Sequence, residues 1–293
     1  MDGRVLSVQS HVVHGYVGNK SAVFPLQLLG FDVDNINSVQ LSNHTGYKSF
    51  AGQVLTDKDL VQLSTGLIDN GLDEYSHILS GYIGSSSFLY EVTKLVTHLR
   101  TKNPDICYVC DPVMGDNGKL YVPQELVTIY KEFVVPLATI LTPNLFEAEL
   151  LTDLKINSVE DVWKAIEILH GRGCPTVVIS SADLGDGELH VFASHKGADV
   201  KRVTMKIPKI PAQFTGTGDL FAALFLAWMY KTQDLKESVE KTIASLQAVL
   251  TRTYEHVLVS GKEMNVKNLE LKLIQSKKDI EEPQIKYEAE IVD

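Results

Sequence analysis

Short apolar runs alternate with longer amphipathic stretches as far as Ser180. Val5–Gln9, Val33–Asn37, His77–Ser80, Cys107–Asp111, Thr139–Leu141 and Thr176–Ser180 have strand length, and most are near-continuously apolar. Runs of that kind predict strands covered on both faces. Between them, apolar residues recur at helical spacing and predict helices over 20–29, 57–69, 86–102, 123–133, 144–152 and 159–171. Asn157-Ser158-Val159-Glu160 supplies the N-cap of the last of these, and Gly171 and Gly173 end it. The alternation implies an α/β fold: a central, mainly parallel β-sheet flanked by helices on both faces.

After Ser180 the pattern changes. Glu188–Ala193 and Lys201–Ile207 read as an antiparallel pair. An apolar helix from Leu220 to Tyr230 follows, then a long helix over about 235–256 and another near 264–275. The tail from Pro283 to Asp293 alternates apolar and charged residues, as an edge strand does. No linker rich in Gly, Ser or Pro divides the chain and no repeat is visible, so residues 1–293 read as a single domain.

Composition narrows the function. The net charge is −10, from 27 Lys and Arg against 37 Asp and Glu. A surface that neutralises nucleic-acid phosphates or an anionic membrane needs the opposite balance, so neither is an expected partner. An acidic enzyme still binds an anionic nucleotide where backbone N–H groups and a metal supply the positive field. The start of the chain lacks the pattern of a secretory signal, and no run of 18 apolar residues exists. The Asn-x-Ser/Thr sequons at Asn19 and Asn43 are therefore expected to be chance matches. Of three cysteines, Cys107 and Cys110 form a C-x-x-C within a predicted strand, where residues three apart point to opposite faces. Buried, reduced thiols are expected, as in the cytoplasm.

Four motifs carry candidate chemistry. Gly216-Thr217-Gly218-Asp219 opens an apolar helix. Its glycines let several N–H groups converge at the positive end of the helix dipole, which makes an anion hole, and Asp219 beside it can accept a hydroxyl proton. The same residues would also serve as an ordinary cap. Asn144 and Glu147, on one face of a helix start, can hold a hydrated Mg²⁺ or form a capping box. Asp111-Pro112-Val113-Met114-Gly115-Asp116 leaves the carboxyl end of a strand, where ligands of open α/β sheets bind; Asp111 and Asp116 can orient a cation or simply make a turn. Ser10, at the exit of the first strand, can bond a small ligand, whereas His11 and His14 read as loop residues. Neither a dinucleotide-binding G-x-G-x-x-G at this exit nor a Walker A loop anywhere is present, which disfavours dehydrogenases and P-loop kinases.

The order and spacing of these motifs resemble the ribokinase-like kinases. Longer stretches resemble the pyridoxal kinase family within them: 4–19 (RVLSVQSHVVHGYVGN), 37–47 (NSVQLSNHTGY), 108–116 (YVCDPVMGD), 142–151 (TPNLFEAELL), 216–228 (GTGDLFAALFLAW) and 275–285 (QSKKDIEEPQI). The resemblance runs along nearly the whole chain. It implies ATP-dependent phosphorylation of the 5′-hydroxymethyl group of pyridoxal, pyridoxine and pyridoxamine by a homodimer, with Mg²⁺ or another divalent cation and a monovalent cation such as K⁺. It implies Asp219 as catalytic base and Gly216, Thr217 and Gly218 as anion hole. Ser10, Thr45 and Tyr82, with Asp219, fall on positions that hold the pyridine ring. Asp111, Asp116, Thr142 and Glu147 fall at the cation site. Asp111, Asp116, Tyr121, Asn144, Ser180, Ser181, Ile210, Phe214, Thr217, Gly218 and Leu250 fall on ATP-binding positions, with Tyr121 in the lid.

This sequence departs from the family's animal members in a shorter loop at Asn117–Leu120, a shorter segment between Ser181 and Lys201, and a Ser at 180 where Thr is usual. The shorter loops bear on the ATP and lid contacts rather than on the chemistry. Two other readings stay open: a hydroxymethylpyrimidine or sugar kinase of the same fold, and a non-catalytic vitamin B6 carrier.

Overall fold

The computed structural model describes residues 3–292. Its strands are β1 (Arg4–Val12), β2 (Asp32–Leu41), β3 (Gly52–Val54), β4 (His77–Ser80), β5 (Cys107–Cys110), β6 (Gly115–Asp116), β7 (Lys119–Leu120), β8 (Ile140–Leu141), β9 (Thr176–Ala182), β10 (Glu188–Lys196), β11 (Val200–Pro208) and β12 (Glu290–Val292). The α-helices are α1 (Asn19–Leu28), α2 (Asp57–Asp69), α3 (Ser86–Lys102), α4 (Glu125–Ile129), α5 (Leu145–Thr152), α6 (Val159–Gly171), α7 (Thr217–Thr232), α8 (Leu235–Ser260) and α9 (Lys277–Glu281).

One sheet runs in the order β12-β11-β10-β9-β8-β5-β4-β1-β2-β3. The stretch from β9 to β2 is parallel throughout, and β3 and β10–β12 extend it antiparallel at its two ends. The sheet is thus mainly parallel, with its antiparallel strands at the margins. The expected edge strand forms over Glu290–Val292, pairing antiparallel with β11, while Asp293 lies outside the described residues.

Both faces of the sheet are covered, and the pleat sorts side chains between two cores. Leu6, Val8, Ile78, Tyr108, Cys110, Leu141, Val177 and Ile179 pack with α2–α6 on one face. Val5, Leu79, Val109, Ile140 and Val178 pack with α1, α7, α8 and α9 on the other. Cys110 belongs to the first core, Cys107 borders the second, and all three thiols are free. The period of two therefore separates the C-x-x-C pair. Burial pushes the Cys107, Cys110 and Cys174 thiols up to about 12, which leaves them unreactive.

Helix ends follow their caps. Thr56 and Asp59 form a capping box at α2, and the Ser158 side chain accepts from the Asp161 N–H at α6. Leu220 through Trp228 of α7 are buried without interruption. A helix apolar on all sides belongs inside the protein, and α7 lies between the sheet, α1 and α8.

Three local features depart from the sequence reading. The short strand β3 and the hairpin of β6 and β7 are too brief to leave a periodic signal. The 123–133 helix continues through a π turn at Tyr130–Val134 into a 3-10 turn at Val135–Leu137. The helix expected near 264–275 does not form. Asn265 accepts from the Asn268 N–H and Asn268 donates to the Glu263 carbonyl, closing local turns that compete with a helix. Beyond them Leu269, Leu271 and Leu273 are buried while Glu270 and Lys272 are only half-buried, the period of an extended segment. Regular structure resumes at Ile274–Ser276 and α9.

The sequon at Asn19 is structural. Its amide, 1% exposed, donates to the Ile36 carbonyl and to Asn37 Oδ1 and accepts from Ser7, tying α1 to β1 and β2.

Candidate active site

Because β1, β4, β5, β8 and β9 run parallel, their carboxyl ends share one edge of the sheet. Ser10, Asp111, Thr142 and Ser180 are delivered there from four different strands. The loop joining β11 to α7 brings Gly216–Asp219 to the same edge.

Gly216 caps α7 with φ of 84° and ψ of 9°, in the left-handed region. A β-carbon there would collide with the Tyr16 carbonyl oxygen, so only glycine fits. Thr217 and Gly218 follow in the first turn, where the N–H groups of α7 have no intrahelical partner. Asp219, in that turn, is half-buried, and burial raises its pKa. The Gly18 N–H donates to its carboxylate and partly offsets the shift. Gly18 has φ of 54° and sits against Ser10, where a β-carbon would strike the Ser10 carbonyl. Ser10, 9% exposed, is thereby placed next to the segment that holds Asp219. Gly18 is a site residue to which the sequence reading assigned no role; the two glycines of the β1 exit were its signal.

On the other side of Gly218 lies Asp111. A β-carbon on Gly218 would stand 3.3 Å from Asp111 Oδ2. That oxygen is buried without a hydrogen-bond partner, and so is Thr142 Oγ1 at the end of β8. Burial raises the Asp111 pKa well above the usual carboxylate range, and the charges of Glu147 and Asp219 raise it further. Buried carboxylates gathered this closely at a helix N-terminus need a cation between them to remain charged. The orphaned Asp111 and Thr142 oxygens fit that requirement. Among the described residues no three His, Cys, Asp or Glu side chains cage a metal.

Asn144 and Glu147 form the capping box of α5, the second of the two readings the sequence allowed. Glu147 Nα–H donates to Asn144 Oδ1 at 2.9 Å and Asn144 Nα–H to Glu147 Oε2 at 2.9 Å. Glu147 Oε1 also accepts from the Met114 N–H at 3.0 Å, while Asn144 Nδ2 donates to the Gly115 carbonyl at 2.8 Å. The pair thus pins the 111–116 loop to α5, and any bond of Glu147 to a cation would be added to these. Burial pushes the Glu147 pKa up to about 8, against the backbone donors that lower it. Its folded-state value lies above the ordinary value, so this carboxyl favours folding below the ordinary range and the benefit is lost as pH rises towards 8. In cation-free buffer the melting temperature is therefore expected to fall as pH rises from about 4.5 to about 8 and to level off above that, with Mg²⁺ restoring it. A pH-independent melting temperature would contradict this.

The remaining predicted residues are less central. Asp116 is exposed on the β6–β7 hairpin and accepts from the Asn117 N–H and amide. Tyr121, 54% exposed, follows that hairpin, anchored through its N–H to the Met114 carbonyl. Tyr82 is half-buried, its carbonyl held by the Ser38 hydroxyl at 2.7 Å, and Thr45 is exposed beside the buried His44. Ser180 and Ser181 are half-buried near the end of β9. Ile210 and Phe214 border the core to which Leu250 belongs, an apolar flank next to the Gly216 turn. His14 lies in the turn after β1, as a loop residue should, whereas His11 falls within β1, which runs on to Val12, and burial lowers its pKa.

Comparison with known proteins matches this architecture. Residues 77–265 match the profile of the phosphomethylpyrimidine kinase family. The chain is 55% identical to the pyridoxal kinase of Arabidopsis thaliana, covering 98% of this chain and 94% of that protein. It is 47% identical to human pyridoxal kinase, over 99% of this chain and 98% of the other. The structure of a pyridoxal kinase from Leishmania donovani in complex with ADP and pyridoxamine superimposes with a TM-score of 0.93 at 35% identity, covering 100% of both chains.

Proposed function

This chain belongs to the pyridoxal kinase family, and on that premise we propose that it transfers the γ-phosphoryl group of ATP to the 5′-hydroxymethyl group of pyridoxal, pyridoxine and pyridoxamine. One observation carries the chemistry: a carboxylate, Asp219, in the first turn of a helix whose first N–H groups have no intrahelical partner. Phosphoryl transfer asks mainly for positioning and charge stabilisation. Asp219 orients the 5′-hydroxyl and takes its proton, while the Thr217 and Gly218 amides face the charge developing on the transferred group. Ser10, Thr45 and Tyr82 hold the pyridine ring. Ile210, Phe214 and Leu250 flank the adenine, and Tyr121 belongs to a lid. Asp111 and Thr142, with Asp116 and Glu147 nearby, would hold Mg²⁺, which when bound neutralises the nucleotide phosphates. A monovalent cation such as K⁺ would share the acidic pocket.

The continuous ten-stranded sheet supports reading residues 1–293 as one domain. The free thiols fit the cytoplasm. The homodimer rests on the family.

The profile match to phosphomethylpyrimidine kinases favours a second reading, in which the acceptor is a hydroxymethylpyrimidine. Both acceptors present a flat ring with a primary alcohol. High identity to pyridoxal kinases over nearly the full chain weighs for pyridoxal. Phosphorylation assays with ATP and Mg²⁺ on the two acceptors in parallel decide the matter. Turnover preferring pyridoxal by at least about tenfold in kcat/KM is expected; preference for the pyrimidine would overturn the assignment. Binding of pyridoxal with no turnover of either would leave a carrier.

A further inference from the structure

Glu270 lies on the extended segment whose leucines anchor it in the core. Leu269 and Leu271 are 7% and 1% exposed, and Glu270 between them points the other way, towards the rim of the site. Its side chain is only 11% exposed. Three groups from two site loops converge on it. The Tyr16 N–H donates to Oε2 at 3.1 Å and the Tyr47 hydroxyl to Oε1 at 2.8 Å. His44 Nε2 stands 3.4 Å from Oε1. The other ring nitrogen of His44 accepts from the Gly46 N–H at 3.1 Å, so the proton of a neutral ring lies on Nε2, facing Glu270. The bonds from Tyr47 and His44 outweigh burial and hold the Glu270 pKa below its usual value, while Tyr47 is pushed well above its own.

These contacts reach the reacting groups by short paths. Tyr16 carries the carbonyl that packs on Gly216, and Gly18, two residues on, donates to Asp219. Thr45 lies between His44 and Gly46, both fixed by the same network. A β-carbon on Gly46 would approach Thr215 Oγ1 to 3.8 Å, directly before the anion-hole turn. Gly15 is packed so closely on the Glu270 carboxylate that a side chain there would collide with it.

We infer that Glu270 is a positioning residue for the acceptor: with His44 and Tyr47 it clasps the β1-exit loop to the 42–50 loop and sets Thr45 and Gly18 against Asp219. It touches no reacting atom. The inference rests on the kinase reading above but not on which acceptor is used. The clasp orders the acceptor side of the site and leaves the nucleotide side, built from the 111–121 and 209–214 segments, untouched.

The test compares wild type, Glu270→Gln and Tyr47→Phe by steady-state kinetics, varying pyridoxal and ATP separately. Losing one hydrogen bond to a buried carboxylate corresponds to about tenfold in binding. For Glu270→Gln the pyridoxal KM is expected to rise about tenfold while the ATP KM stays within about twofold. Tyr47→Phe, which keeps the carboxylate, is expected to show the same split at a few-fold and serves alone if the glutamine variant does not fold. KM values for both substrates rising together, or neither changing in a folded variant, would overturn the inference. If wild type does not turn over pyridoxal, the acceptor reading fails, and the same ratio measured on the acceptor it does use still decides the clasp.

Discussion

Replacing Asp219 with asparagine is expected to cut turnover by about 10²–10⁴-fold, the usual contribution of a general base. Asparagine keeps the size of the side chain and an oxygen to accept the Gly18 N–H, so the loop geometry survives and only the proton acceptor is lost. Pyridoxal affinity, measured directly, should change by no more than a few-fold. The pH profile gives an independent check. A base works when deprotonated, so activity rises as pH climbs through its pKa and levels above it. Burial raises that pKa, so the acid limb of kcat/KM should lie above the ordinary carboxylate range. The residual activity of Asp219→Asn should lack that limb. Near-normal turnover in the variant would remove Asp219 from the mechanism and leave the anion hole to account for the rate.

Gly216→Ala should be comparably damaging for a different reason. A methyl at a φ of 84° costs about 1–2 kcal/mol in backbone strain alone. Here it would also drive into the Tyr16 carbonyl, and the turn must shift to relieve the contact. Displacing one donor of an anion hole costs about 10²–10³ in kcat. Gly30→Ala is the control. Gly30 has φ of 92°, but a β-carbon there meets nothing within 4 Å. Both variants should lose stability from backbone strain, Gly216→Ala the more because of its clash, and only Gly216→Ala should lose activity. Equal activity in the two would mean that the turn at 216 tolerates movement and does not act as a preorganised anion hole.

The 264–275 segment shows where sequence reading fails. Its apolar residues suit a helix as well as a strand over so short a stretch, and neighbouring asparagines tipped the balance by closing turns on themselves. The error hid Glu270, because nothing in a helix assignment brings that residue to Tyr16 or Tyr47. Glu147 shows the reverse case. The spacing from Asn144 offered a cap or a metal ligand, and the contacts of both oxygens with backbone N–H groups establish the cap.

What the chain determined by itself is whatever depends on residues within a few positions of one another. The apolar runs specified buried strands, the Ser, Thr and Asn caps specified helix starts, and Leu220–Trp228 specified a helix buried on every side. Gly216-Thr217-Gly218-Asp219 at a helix start already placed an acid beside a turn of free backbone N–H groups. Only the tertiary structure decided that Gly18 would donate to Asp219, that an unpaired oxygen of Asp111 would face Gly218 beside an equally unpaired Thr142, and that Glu270 would clasp two loops. Those meetings depend on strand order and on which loops cross the same edge of the sheet. Many topologies bury the same apolar pattern equally well, so local preference leaves the choice among them to the packing of the whole chain.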